Sequence, residues 1–245
     1  EEGTGIGKFE GMTFFIKDAV IGDRVRAKIM KMKKNYGFAR LMEVLTPSPD
    51  RVEPLCPVAR QCGGCQIQAM SYEAQLAFKT RKVESNLKRI GKFEEIPMES
   101  IIGMEDPFHY RNKAQFPFGK NRDGKIITGF YAGRTHSIIE NTSCHLGKEV
   151  NEEILEKILA WMNAFHVEPY NEATGKGLMR HSLIRCGFRT GEIMVCLVIN
   201  GRKIPGEEAL VDSLKIIPGM TSISGNVNKE KTNVIPGREV INLWG

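Results

Sequence analysis

The stretch Leu55–Gln66, LCPVARQCGGCQ, constrains this chain more than any other. It carries Cys56, Cys62 and Cys65 in the spacing C-x5-C-x2-C, half of the six cysteines in the sequence. Gly63 and Gly64 separate the last two, and Pro57 follows the first. Glycine tolerates positive φ and close backbone approach, so such a loop can turn back and aim several sulfurs at one point. A tetrahedral thiolate site needs a fourth ligand, and Cys144, Cys186 and Cys196 remain. Cys186 and Cys196 lie in apolar alternating runs, SLIRCGFR and EIMVCLVIN, and read as small core hydrophobes. Cys144 lies in the polar segment NTSCHLG and is the expected fourth ligand. Four thiolates suit either zinc or an iron–sulfur cluster. The spacing departs from the paired C-x2-C knuckles of structural zinc, and from the C-x3-C-x2-C loop of radical enzymes. A closed set of four leaves no open coordination position, so the site reads as structural. A chain of 245 residues can build its own core and has little need of disulfide staples.

Thirty-five Lys and Arg against 29 Asp and Glu give a net charge of +6, which suggests an acidic partner, nucleic acid first. No apolar run approaches the roughly 20 residues of a spanning helix, so no membrane partner is expected. Clustered cysteines without a secretory signal suit the cytoplasm. The chain opens EEGTGIGK without Met and stops at the strand-like run VINLWG, so it reads as the N-terminal part of a longer protein.

Residues 1 to about 46 read as a small antiparallel β-barrel or sheet, with strands at Met12–Ile16, Arg24–Met32 and Tyr36–Leu45. Seven basic residues and no acidic one fall between Arg24 and Arg40, with Tyr36 and Phe38 among them. Lys31, Lys33, Lys34, Tyr36, Phe38 and Arg40 are therefore candidate RNA contacts: rings stack on bases while cations follow the backbone. TPSPDRVEP is a linker. Ser71 reads as the N-cap of a helix over Tyr72–Ile90, whose apolar stripe is Leu76, Val83, Leu87 and Ile90.

Strands are expected at His109–Phe118, Ile126–Ala132 and Thr135–Ile139. Six basic residues, one acid and six Phe or Tyr lie between Pro107 and Ile139. Arg111, Asn112, Lys113, Gln115 and Arg134 form the polar centre of this second candidate RNA surface. Glu149–Phe165 is the clearest helix, with Ile154, Leu155, Ile158, Leu159, Met162 and Phe165 on one face. Strands at Leu178–Phe188 and Glu192–Asn200, a helix at Glu207–Lys215 and a strand at Ser222–Val227 complete an α+β pattern. His181 reads as a structural histidine rather than a base. There is no phosphate loop, and Gly3, Gly5 and Gly7 precede no helix, so the dinucleotide fingerprint fails.

CPVARQCGGCQIQAMSYEAQLAFKTRKV, FHYRNKAQFPFG, GFYAGRTHSII with its following Cys, and NVNKEKTNVIPG with its following LWG together resemble the RNA 5-methyluridine (uracil-C5) methyltransferase family. The resemblance runs over essentially the whole chain and favours the 23S ribosomal RNA branch. It implies an RNA-binding TRAM barrel, OB-like, over residues 1–50, and an iron–sulfur loop over 51–70. It implies a helical segment over 71–105 that packs on the methyltransferase domain, and a central RNA-binding α+β domain over 106–245. It further implies a [4Fe–4S] cluster on Cys56, Cys62, Cys65 and Cys144, and S-adenosylmethionine as methyl donor. The family's Rossmann-like domain, with its nucleophile and base, is expected to be absent from this chain. No catalytic residue is therefore assigned, and the chain alone is expected to be inactive, its full-length protein an enzyme and a monomer bound to ribosomal RNA. The competing readings are a stand-alone RNA-binding module with a structural four-cysteine metal site, and a radical methylthiolation enzyme. The x5 spacing and the N-terminal barrel argue against the latter.

Overall fold

The computed structural model describes residues 3–245. They divide into two compact units, the first made of residues 3–60 and 65–107, the second of residues 61–64 and 108–245.

The first unit holds β1 (Thr4–Phe9), β2 (Met12–Lys17), β3 (Arg24–Met32), β4 (Tyr36–Thr46) and α1 (Tyr72–Arg89). The sheet order is β1-β2-β4-β3, and β2 runs parallel to β4. The expectation of an antiparallel arrangement is corrected at that pair. The β3–β4 hairpin folds back so that β4, not β3, lies beside β2. β1 was unrecognised as a strand because its glycines read as punctuation. Alternation sets the faces. Phe14, Ile16, Ala39 and Leu41 point inward and form a small core with Val25, Ala27 and Val44. Phe15, Tyr36, Phe38 and Arg40 occupy the intervening positions. One carboxylate organises the exit from this sheet. Asp23, its side chain only 1% exposed, accepts Arg51 Nη2 at 2.6 Å, Val20 N at 2.7 Å and Ser48 N at 3.0 Å. Burial alone would raise its pKa, but the Arg51 guanidinium and the backbone N–H groups hold it below the usual value.

Ser71 caps α1, its hydroxyl accepting Ala74 N at 3.2 Å. The start of the helix is anchored through Ala74, which packs with Met70 and Val20. Its remainder is poorly covered: Val83 is 50% and Ile90 75% exposed.

The second unit holds β5 (Lys113–Lys120), β6 (Ile126–Tyr131), β7 (Ile138–Glu140), α2 (Val150–Ala164), β8 (Met179–Cys186), β9 (Ile193–Ile199), α3 (Glu207–Lys215), β10 (Met220–Val227) and β11 (Glu239–Trp244). They form one seven-stranded sheet in the order β11-β10-β9-β8-β5-β6-β7. All neighbours are antiparallel except β9 and β10, which are parallel and joined through α3 in a βαβ crossover. Ile154, Leu155, Ile158 and Met162 of α2 are fully buried against Phe116, Ile184, Val195 and Leu197. Burying each such side chain stabilises the unit by roughly 1.5–3 kcal/mol. Among the described residues no helix is long and apolar enough to cross a membrane.

Hydrogen exchange should follow this contrast. Amides along Val83–Ile90 should exchange much faster than those along Ile154–Met162. Equal protection in the two helices would contradict the exposure of the α1 stripe.

Candidate nucleic-acid interface and thiolate site

In the first unit, β2 and β4 set Phe15 beside Phe38 and Lys17 beside Arg40. Rings of Phe15, Tyr36 and Phe38 form a triangle with centroids 5.6–5.7 Å apart. Tyr36 and Phe38 are exposed. β3 adds Lys31 opposite Phe38. Lys33 and Lys34 occupy the hairpin tip, closed by Lys33 N donating to Tyr36 O at 2.7 Å. Lys31, Tyr36, Phe38 and Arg40 thus lie at neighbouring positions of the β3–β4 ladder, with Lys33 and Lys34 at its tip. Such an arrangement can stack bases while its cations follow phosphates. Phe15 and Lys17 were not foreseen: the parallel β2–β4 pairing that brings them there leaves no local mark in the sequence.

In the second unit, Lys113 and Gln115 point to the sheet face opposite the α2 core, opposite Arg185 and Leu183. Lys113 faces Arg185 directly, and both are exposed. Like charges directly opposite destabilise a sheet, which marks this face as one suited to an anion. Arg111 and Asn112 precede β5, and Arg111 N donates to Leu146 O at 2.8 Å. Arg134 sits in the β6–β7 turn with φ +63°. Arg185 escaped the sequence analysis because its partner lies far away in the chain.

The cysteine loop divides between the units. Cys56 and Cys65 belong to the first, Cys62 and Cys144 to the second. Gln68 holds both cysteines of the first: its Oε1 accepts the Cys56 backbone N–H at 3.1 Å, and its Nε2 donates to Cys65 Sγ at 3.8 Å. In the second unit, Cys62 bridges to Ala132 and Gly63 N donates to Tyr131 O at 2.9 Å. A Cβ on Gly63 would lie 2.9 Å from that oxygen, so the close approach requires glycine. Gly64 N donates to Cys62 Sγ at 3.3 Å. The Cys144–Gly147 turn docks on the segment before β5, with His109 N donating to His145 O at 2.8 Å.

These four sulfurs are half-buried, and two of them accept N–H groups, as metal-bound thiolates do. The donor chemistry therefore fits a thiolate-bound metal group. Among the described residues, however, no three His, Cys, Asp or Glu side chains converge into a metal-holding group. Burial pushes the Cys186 and Cys196 thiols up, which keeps them protonated; Cys186 lies in the core, while Cys196 is half-buried on the other face of β9.

His181 is buried, with Tyr131 Oη 3.3 Å from its Nε2. Burial pushes the Tyr131 phenol up to about 12 and the His181 imidazole down to about 4. The protonated phenol donates to Nε2, so Nδ1 carries the ring proton. Nδ1 has no partner among the described residues. His136 stacks on Tyr131, with centroids 5.0 Å apart, and its Nδ1 lies 2.7 Å from Glu172 Oε2.

Three comparisons bear on this arrangement. Residues 1–42 match the family model described as the TRAM domain. A Clostridium tetani protein described as an uncharacterized RNA methyltransferase is 44% identical over all of this chain, which covers 53% of that relative. One from Halalkalibacterium halodurans, described likewise, is 43% identical, again over all of this chain and 53% of the relative. The chain thus spans about half the length of the curated relatives it matches. A Pyrococcus abyssi tRNA (uracil-54, C5)-methyltransferase, solved with S-adenosyl-L-homocysteine, superposes with a TM-score of 0.72 at 23% identity. That match covers 98% of this chain and 53% of the solved one.

The last comparison corrects the expected fold class. The part corrected is the expectation that the family's Rossmann-like methyltransferase domain is absent from this chain. Instead, 98% of the chain superposes on 53% of that solved methyltransferase, and its second unit is built on one seven-stranded sheet. The expected inactivity of the chain rested on that absence and loses its basis.

The buried histidine gives a pH test. An imidazole lowered from 6.5 to about 4 stays neutral in the fold while it charges in the unfolded chain. Its contribution is therefore complete above pH 6.5 and is lost as pH falls towards 4, a span of about 3 kcal/mol at most. Urea unfolding from pH 7.5 to 4.5 should show that loss, and His181→Gln should flatten it.

Proposed function

We propose that the chain belongs to an S-adenosylmethionine-dependent methyltransferase that forms 5-methyluridine in 23S ribosomal RNA, and that its two cationic surfaces hold the RNA. The observation that carries this reading is the Phe15, Tyr36 and Phe38 platform, with Lys31 paired opposite Phe38 and Lys33 and Lys34 at the adjoining hairpin tip, on residues that match the TRAM domain. Relatives described as RNA methyltransferases support the reaction class. The uracil-C5 chemistry of the Pyrococcus abyssi protein supports the position on the base. Arg111, Asn112, Lys113, Gln115 and Arg134, joined by Arg185, form the second RNA surface. S-adenosylmethionine supplies the methyl group.

Cys56, Cys62, Cys65 and Cys144 are the proposed ligands of a [4Fe–4S] cluster. Bound there, the cluster would supply a structural cross-link rather than a reacting group, because four cysteines close its coordination. Gln68 and Gly64 N–H would orient and polarise the sulfurs they contact.

The protein that carries this chain should transfer labelled methyl groups from S-adenosylmethionine to ribosomal RNA, with 5-methyluridine recovered on digestion. Label in another nucleoside would overturn the assignment. Replacing Lys31, Lys33 and Lys34 together should weaken RNA binding uniformly across sequences. It should also flatten the salt slope by roughly 0.7 per lost contact on single strands. Unchanged affinity and slope would move the interface elsewhere. Anaerobically purified protein should be brown with about four irons per chain. Cys144→Ser should lose the iron, while Cys186→Ser and Cys196→Ser should keep it.

A further inference from the structure

β8 carries a cation that the two proposed surfaces do not use. Arg180 is 6% exposed, yet it pairs with no carboxylate among the described residues. Its Nη1 donates to Asn228 O and Glu230 O, each at 2.9 Å, and its Nη2 to Thr232 O at 3.5 Å. The Tyr170 ring covers the guanidinium at 4.3 Å. Nε is buried and has no hydrogen-bond partner. Carbonyl dipoles offset part of the charge, but a guanidinium buried without a counter-ion is costly.

Arg180 lines an open cavity of about 360 Å³ together with Tyr170, Glu172, Lys231, Thr232 and Asn233. That volume suits a small-ligand site of roughly 300–1,000 Å³. Lys231 is a second cation with no ion pair among the described residues, and its stem lies over Gly175. Glu172 is the one carboxylate in the lining, and His136 Nδ1 already engages it at 2.7 Å. Two cations therefore face one occupied carboxylate.

The wall is held in shape before any ligand arrives. Asn228 Nδ2 donates to Val234 O at 2.8 Å and Ile235 O at 2.9 Å, while its Oδ1 accepts Glu230 N at 3.0 Å. Thr232 Oγ1 accepts Val234 N at 3.1 Å, which leaves its hydroxyl proton to donate. Side chains, not a sheet ladder, give residues 228–235 their conformation.

We propose that this cavity binds a phosphate group of the RNA strand, with the Arg180 guanidinium and Lys231 Nζ as its two cations. A rigid guanidinium edge beside a flexible ammonium is a pairing suited to phosphate. The proposal rests on the reading that the chain holds RNA. An Arg180 that merely clamped residues 228–232 would require neither Lys231 nor an unsatisfied Nε.

The test follows the Arg180 Nε–H resonance in the whole protein labelled with nitrogen-15 arginine. Its assignment comes from its loss in Arg180→Lys. That variant can disturb the loop, so binding is compared in Lys231→Glu, an exposed position that anchors nothing. Inorganic phosphate and a single-stranded oligouridylate are titrated separately. A saturable shift is expected with each. Lys231→Glu should weaken the oligouridylate about five-fold and flatten its salt slope by roughly 0.7. Oligouridylate that binds without moving the resonance, and binds Lys231→Glu as tightly as wild type, overturns the pocket and leaves the RNA reading standing. A shift with phosphate while oligouridylate binds nowhere overturns the RNA source and the RNA reading with it.

Discussion

Strand alternation is the constraint on which both surfaces depend. Along β4, Gly37, Ala39 and Leu41 are buried, while Tyr36, Phe38 and Arg40 face out. A slip of one residue would turn the charges inward and the core outward, so hydrophobic burial fixes the register. The same register then places Phe15 against Phe38 and Lys31 opposite them. The binding face is thus a by-product of the core face. In the second unit, Phe116 and Ile184 commit one side of the sheet to the helices, and Lys113 and Arg185 are left on the other.

Buried charge plays two different parts here. Asp23 is satisfied by Arg51 and by two backbone N–H groups, so it holds the turn after β2 to the linker after β4. Removing either partner would strand the other in a dry site, a loss of roughly 3–5 kcal/mol. Arg180 has hydrogen bonds but, among the described residues, no opposing charge. The first arrangement is closed, the second is not.

Much of the element pattern was legible. Arg24–Met32 and Glu207–Lys215 were bounded as the structure has them, because each has a clean period and clear breakers. Basic residues interleaved with rings pointed to the first surface for a sound physical reason, since that pattern has no use in a core. What stayed hidden was non-local. The β2–β4 pairing, the Lys113–Arg185 pair and the Arg180 cavity all join residues whose partnership no local window records. The fold class failed on the methyltransferase domain, which the family resemblance, rather than any residue pattern, placed outside this chain.

The strand order of the second unit also has a kinetic meaning. β5 pairs with β8, roughly seventy residues further along, while β8 has its own hairpin partner in β9. Local pairs such as β5–β6 and β8–β9 close at small entropic cost, but the central seam must wait for a long loop that contains α2. Loop closure costs only about 0.6 kcal/mol more per doubling of length, so stability suffers little. Speed suffers more, because pairing between strands far apart in the chain slows folding. During that interval the apolar faces of β5 and β8 are bare, and the chain is most exposed to mispairing with another copy of itself.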